Sequence, residues 1–250
     1  MAKMNFFAEG IQGAGKSTLV SKLAEEHPDF KVFREGDYSP VELAWCAFVG
    51  EDEYQKIRNK YPGIYDIITE KTVQEEDKKV IPYTQILTDI PGFHKDLEQY
   101  EIYNGNKSPD EFMQIILRRF KKWNGQGQIF ECSILQNIIE NLLLFFEMTD
   151  EEIIDFYHQV RAALSGKQYE IVYLEVVDIR KTEEKIRKER TDDKGNELWF
   201  PLMVRYLEES PFGKRHHLQG MDELVRHLEY RVNLEKRILA EVFAEHSVIK

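Results

Sequence analysis

Cysteine is almost missing from this chain: Cys46 and Cys132 are the only two in 250 residues. They are far apart and in no metal-ligand spacing, which argues against a disulfide framework or a thiolate metal site and makes a reducing cytoplasm the expected setting. Long apolar runs are also absent. The most apolar stretch, Leu142 to Phe146, is far shorter than the roughly 20 residues of a bilayer-spanning helix. Residues 1–7 carry neither the apolar core nor the small-residue cleavage site of a secretory leader, so no membrane partner is expected. Positive charge is in deficit: 34 Lys and Arg against 45 Asp and Glu leave a net charge of -11. Such a surface repels phosphate backbones, so no nucleic acid polymer is expected as partner, and any anionic ligand has to meet a local basic pocket. There is no internal repeat and no linker rich in Gly, Ser or Pro. Residues 1–250 therefore read as a single domain.

A hydrophobic content of 42% with 12% aromatic residues is enough to build a core. Strand-like runs at Asn5–Glu9, Phe30–Arg34, Gln128–Glu131 and Tyr169–Val177, with a short last one at Ser247–Ile249, alternate with helical patterns. The helices expected are Ser17–His27, one opening at the Ser39-Pro40-Val41-Glu42 cap, one from Ser108 to about Asn124, and the apolar Ile134–Met148. Further ones are capped by Thr149, open at Thr182, and span Met221–Phe243. Glu51–Val80 reads as charged and mostly helical, broken at Pro62-Gly63, and is taken as a helical insertion. The fold class is α/β, a mostly parallel sheet with helices on both faces. The apolar 134–148 helix fits either the domain centre or a subunit interface.

The most specific signal is Gly10-Ile11-Gln12-Gly13-Ala14-Gly15-Lys16-Ser17, followed by Thr18, between the first strand and the first helix. It has the G-x-x-x-x-G-K-S form of a P-loop. A triphosphate is a narrow chain of negative charge, and backbone N–H groups reach it only where side chains do not obstruct them. The glycines remove that bulk, and the helix N-terminus adds free amides and its positive dipole end. Lys16 would reach the β and γ phosphates, and Ser17 would ligate Mg2+. A glycine-rich connecting turn would explain the glycines but not Lys16-Ser17.

In the order P-loop, acidic strand end, second acidic strand end and arginine-bearing helix, the chain resembles the thymidylate kinase and deoxynucleoside kinase group. That resemblance implies a P-loop NTPase fold, a helical substrate-side insertion over about 39–124 and a lid over about 181–215. It implies ATP with Mg2+, and a nucleoside or nucleoside monophosphate as the small-molecule acceptor. Glu35 in Arg34-Glu35-Gly36-Asp37 matches the family's base for the acceptor hydroxyl, with Asp37 as a nearby substrate ligand. Glu131-Cys132-Ser133 stands where the family carries an acid, an arginine and a serine. Glu131 then falls on the magnesium side, or caps the next helix, and Cys132 replaces the arginine, a departure that also admits another acceptor hydroxyl, such as that of a sugar or an antibiotic. Arg187 and Arg190 match the paired lid arginines that close over ATP, with 192–196 as the lid tip.

Tyr83, Gln85, Trp45 and Phe112 are candidates for stacking on or bonding to a planar acceptor, although aromatics at helical spacing commonly belong to a core. His216 and His217 are adjacent, point apart on a helix, and have no third metal ligand nearby. The resembled kinases are commonly homodimers. A nucleotide-binding regulatory ATPase with no small-molecule acceptor is the reading from a different class.

Overall fold

The computed structural model describes residues 3–250. The chain divides into two compact units, one made of residues up to 32 together with 124–250, the other of the continuous stretch 33–123. Along the chain the first unit begins with β1 (Asn5–Glu9), α1 (Lys16–Glu26) and β2 (Lys31–Phe33). The second contains β3 (Ala47–Val49), α2 (Glu51–Lys60), α3 (Tyr65–Lys71), β4 (Val73–Glu75), β5 (Lys78–Ile81), α4 (Phe93–Glu98) and α5 (Pro109–Lys122). The first then resumes with β6 (Gln128–Glu131), α6 (Gln136–Leu144), α7 (Asp150–Ala163), β7 (Tyr169–Tyr173) and α8 (Ile179–Glu189). It closes with α9 (Trp199–Glu209), α10 (Pro211–His216), α11 (Gly220–Glu241) and β8 (Ser247–Ile249).

The first unit is an α/β structure around a five-stranded sheet ordered β2-β6-β1-β7-β8. β1 runs parallel to β6 and to β7, and β7 parallel to β8. With neighbours on both sides, β1 buries Phe7 and Ala8 completely, as a strand covered on both faces must. Phe7 pairs in register with Phe130, the rings stacked at 4.9 Å. Asn5, at the start of the central strand, ties it to the starts of both neighbours, donating from Nδ2 to the carbonyls of Gly125 and Gln168 and accepting from the Gln128 amide. Val20 and Leu23 of α1 pack on Ala8 and Ile129. α6 is buried on nearly all sides, its polar Gln136, Glu140 and Asn141 included: Ile138, Ile139, Leu142, Leu143 and Leu144 are covered within this one chain, so of the two placements its pattern allowed, the interior is the one observed. Thr149 and Glu152 form the reciprocal capping box at α7. Among the described residues no helix is long and apolar enough to cross a membrane.

The second unit has its own core, including Tyr54, Ile57, Ile68, Ile81, Tyr83, Phe93 and Leu97, and its own antiparallel sheet ordered β3-β5-β4. Two expectations fail here. The Ser39 cap starts no helix. Arg119 of α5 donates to the Ser39 carbonyl, the first acceptor a helix would need, and the Glu42 carboxylate is taken by the Ala44 amide at 2.6 Å and the Tyr103 hydroxyl at 2.5 Å. The stretch Glu51–Val80 is helical only to Lys71. Beyond it β4 and β5 form a hairpin around Glu76 and Asp77, with Glu76 at φ 53 and Val73 opposite Val80. The β-branched cross-strand pair outweighs the helix-forming charged residues between them.

The segment expected as a lid also differs in its start. α8 begins at Ile179 rather than Thr182, because the Asp178 carboxylate accepts the Lys181 amide and caps the helix three residues earlier.

Candidate phosphate-binding loop and the buried charges beside it

The 10–17 segment links the end of β1 to the start of α1. Gly15 is the N-cap residue, in the left-handed region at φ 97, and no side chain caps the helix, so the first amides of α1 are left for a ligand. Gly13, at φ 77, is fixed by a close approach: a Cβ there would lie 2.3 Å from Ile186 Cδ1. Lys16 is buried. Its ammonium donates to the carbonyls of Gly10 (2.8 Å) and Ile11 (2.7 Å) and to Gln136 Oε1 (2.9 Å), so that it folds back across its own loop. The Ser17 hydroxyl donates to the carboxylate of Glu131 at the end of β6. Thr18 is exposed in the first turn, and Gln12 and Ala14 are half-buried.

Glu131 does not cap α6, whose N-cap is Leu135 with no side-chain bond. That service falls to Glu9, the last residue of β1, whose carboxylate accepts the amides of Ser133 (2.7 Å), Ile134 (2.8 Å) and Gln136 (3.3 Å). Burial raises the Glu9 carboxyl to about 7, against the pull of those amides and of Lys16. Cys132 is buried at φ 54 and joins the sheet end through its amide to the Ala8 carbonyl.

Arg231 on α11 was not singled out in the sequence, and it is wholly buried. Its guanidinium donates to Glu140 of α6 and, at 3.1 Å, to Gln12 Oε1 in the glycine-rich loop, while Nε lies 3.1 Å from Glu235 one turn on. His227 Nε2 meets the other Glu140 oxygen at 2.6 Å. Burial pushes the Glu140 carboxyl up, but Arg231 and His227 more than offset it and hold it at about 2. Glu235, bonded by the Tyr173 hydroxyl, is raised by burial despite Arg231. The signal for this cluster was present: His227, Arg231 and Glu235 follow at four-residue steps beside the apolar stripe Leu224, Leu228, Val232 of an amphipathic helix.

On α8 the two expected lid arginines face the start of α9. Arg187 Nε donates to Glu197 at 2.5 Å and its guanidinium lies 4.8 Å from the Phe200 ring, while Arg190 lies 4.8 Å from the Trp199 ring. The 192–196 tip is an ordered turn in which the Asp192 carboxylate accepts the amides of Lys194 and Asn196.

The remaining candidates belong to the 33–123 unit. Glu35 is exposed, and its carboxylate accepts the Trp45 indole N–H at 3.3 Å. Trp45 is 42% exposed and held at φ 62, a strained conformation for a bulky residue. The Asp37 carboxylate accepts the Arg34 amide at 2.8 Å and closes the turn between them. Tyr83 is 1% exposed with its hydroxyl on Glu101, and Phe112 is fully buried, so both rings are core, whereas Gln85 is exposed. In this core burial raises Glu42 to about 7 and Glu101 to about 8. Set beside known proteins, the chain matches no family model and no curated relative.

Proposed function

We propose that the 10–17 segment is a P-loop and that the protein transfers the γ-phosphoryl group of ATP, with Mg2+, to a hydroxyl or phosphate oxygen of a small molecule, a nucleoside or nucleoside monophosphate in the first instance. Support comes chiefly from one contact. The Ser17 hydroxyl, at the uncapped start of α1, points to the Glu131 carboxylate at the end of the adjacent strand. An oxygen pair of this kind, beside open helix amides, is the donor set a hard divalent cation would take. Magnesium, when bound, neutralises phosphate charge; Ser17 and Glu131 are the residues that would hold it, Glu131 through water.

The chain's own groups then divide the work. Lys16 exchanges its loop carbonyls for phosphate oxygens. Gly13, Ala14, Gly15 and the first amides of α1 hold the phosphate chain. Arg187 and Arg190 supply planar donors for charge on the transferred group, and Glu35 is the candidate base for the acceptor hydroxyl. In the transfer the acceptor oxygen, a hydroxyl giving up its proton to a base or a phosphate oxygen attacking as it stands, bonds to the γ-phosphorus as the bond from phosphorus to the β-γ bridging oxygen breaks, so ADP leaves.

The test is a panel of nucleosides, nucleoside monophosphates and simple alcohols incubated with magnesium ATP, read by ADP release and product mass, with Lys16→Ala alongside. The wild type should phosphorylate one class of acceptor. Turnover should fall at least about 100-fold in the variant while its circular dichroism spectrum stays unchanged. Turnover retained by a folded Lys16→Ala protein would falsify the assignment.

A further inference from the structure

The buried stripe of α8 runs Ile179, Glu183, Ile186, and its middle member is out of character. Glu183 is 0% exposed, and neither carboxylate oxygen has a hydrogen-bond partner. A buried carboxylate in that state is costly, and a chain has no reason to keep one in a purely structural stripe. Its neighbours fix its position. Thr182 and Ile186 are the side chains against Gly13 of the glycine-rich loop, so Glu183 enters the unit where α8 crosses that loop.

Three cations are near enough for their charge to favour its ionised form: Arg231 on α11, Arg190 at the end of its own helix, and Lys16 at the start of α1. The other acids of the neighbourhood are already engaged, Glu140 and Glu235 with Arg231 and Glu9 with backbone amides. His227 is engaged with Glu140. Elsewhere on these elements, Arg180 pairs with Asp222 and Arg205 with Glu209 at exposed positions, and Glu208 accepts the Gly220 amide. Glu183 is thus a negative group without bonds of its own, set among cations of which two, Lys16 and Arg190, are those assigned to phosphate.

We infer that Glu183 is an internal stand-in for phosphate: its carboxylate holds the field of Lys16, Arg190 and Arg231 until a polyphosphate ligand neutralises or displaces it. The inference rests on the phosphate-binding reading of the loop and makes Glu183 a positioning residue whose charge is autoinhibitory. Burial raises its carboxyl to about 7, against the pull of Arg231, Arg190 and Lys16. The sign follows directly. Near pH 6 the group is mostly neutral and yields to the ligand, whereas at pH 8 it is mostly charged and only about one molecule in ten is ready to bind, which weakens apparent affinity about tenfold.

Isothermal titration of magnesium tripolyphosphate into the full-length wild type, Glu183→Gln and Glu183→Met, at pH 6 and at pH 8, tests it. Comparing variants at one pH cancels the ligand's own protonation. Both variants should bind about tenfold tighter than wild type at pH 8 and within about twofold of it at pH 6. If only one variant folds, it carries the comparison. Equal affinities at both pH values, a gain that does not depend on pH, or weaker binding by the variants would overturn the inference alone. No binding by any of the three proteins would remove the phosphate-binding loop and the inference together.

Discussion

Replacing Arg231 by methionine should unfold the protein's energetics more than any exposed substitution. Methionine keeps most of the side-chain volume but removes the one buried cation that Glu140 and Glu235 share. The Glu140 carboxyl is held at about 2 against an ordinary 4.5. Arg231, with His227 behind it, is what holds the carboxyl down, and deleting that cation should cost roughly 3–5 kcal/mol at neutral pH, the usual loss when one partner of a buried ion pair is removed. Because the folded carboxyl is depressed, its contribution is present above pH 4.5 and fades as pH falls through about 2. The deficit of Arg231→Met, read from urea unfolding followed by circular dichroism, should therefore be about 3–4 kcal/mol at pH 7 and clearly smaller at pH 3. Adding Glu140→Gln should recover part of it, since the orphaned charge is gone. A loss under about 1 kcal/mol at pH 7, a loss that does not change with pH, or strict additivity in the double variant would refute the reasoning.

Two further outcomes are expected. Gly13→Ala places a Cβ 2.3 Å from Ile186 in a backbone at φ 77, which should cost about 1–3 kcal/mol by scanning calorimetry; an unchanged melting temperature would mean that α8 does not press on the loop. Glu42 has its carboxyl raised to about 7 by burial, with Tyr103 and the Ala44 amide opposing. An acid with a raised folded pKa loses stability as pH climbs from its ordinary 4.5 through 7, up to about 3 kcal/mol. Glu42→Gln keeps an oxygen for the Ala44 amide and should flatten that decline in unfolding curves between pH 5 and 8, whereas parallel wild-type and variant curves would count against it.

The sequence was most legible where one signal acted alone. β1, β6 and β8 are bounded as their apolar pattern indicates, and the caps at Ser108 and Thr149 start α5 and α7. It misled where a distant side chain captured a local signal. The Ser39 cap loses its first carbonyl to Arg119, eighty positions along the chain, and no window around residue 39 contains that competitor. The hairpin at 73–81 was hidden by charged residues whose helix preference is weaker than a paired sheet. At the site, the loop glycines, Lys16, Ser17 and Glu131 were visible as types in a pattern, and the structure brings the hydroxyl and the carboxylate together. Arg231 and Glu183 escaped because a polar residue in a helical stripe is read as tolerated solvent exposure until its burial is seen.

The division of the chain at 33 and 123 has a consequence for the order in which it can fold during synthesis. The 33–123 unit is continuous, so every partner in its core and its antiparallel sheet has been translated by residue 123. β1 has no such advantage: it emerges first, yet its two sheet neighbours, β6 and β7, start at 128 and 169, and β8 arrives last of all. Its apolar residues must wait through the making of an entire other unit, the circumstance in which nascent chains need shielding. A nascent chain that has released residues 33–123 but nothing from 169 onward would carry a finished 33–123 unit and a first strand and glycine-rich loop that still lack Arg231, their anchor.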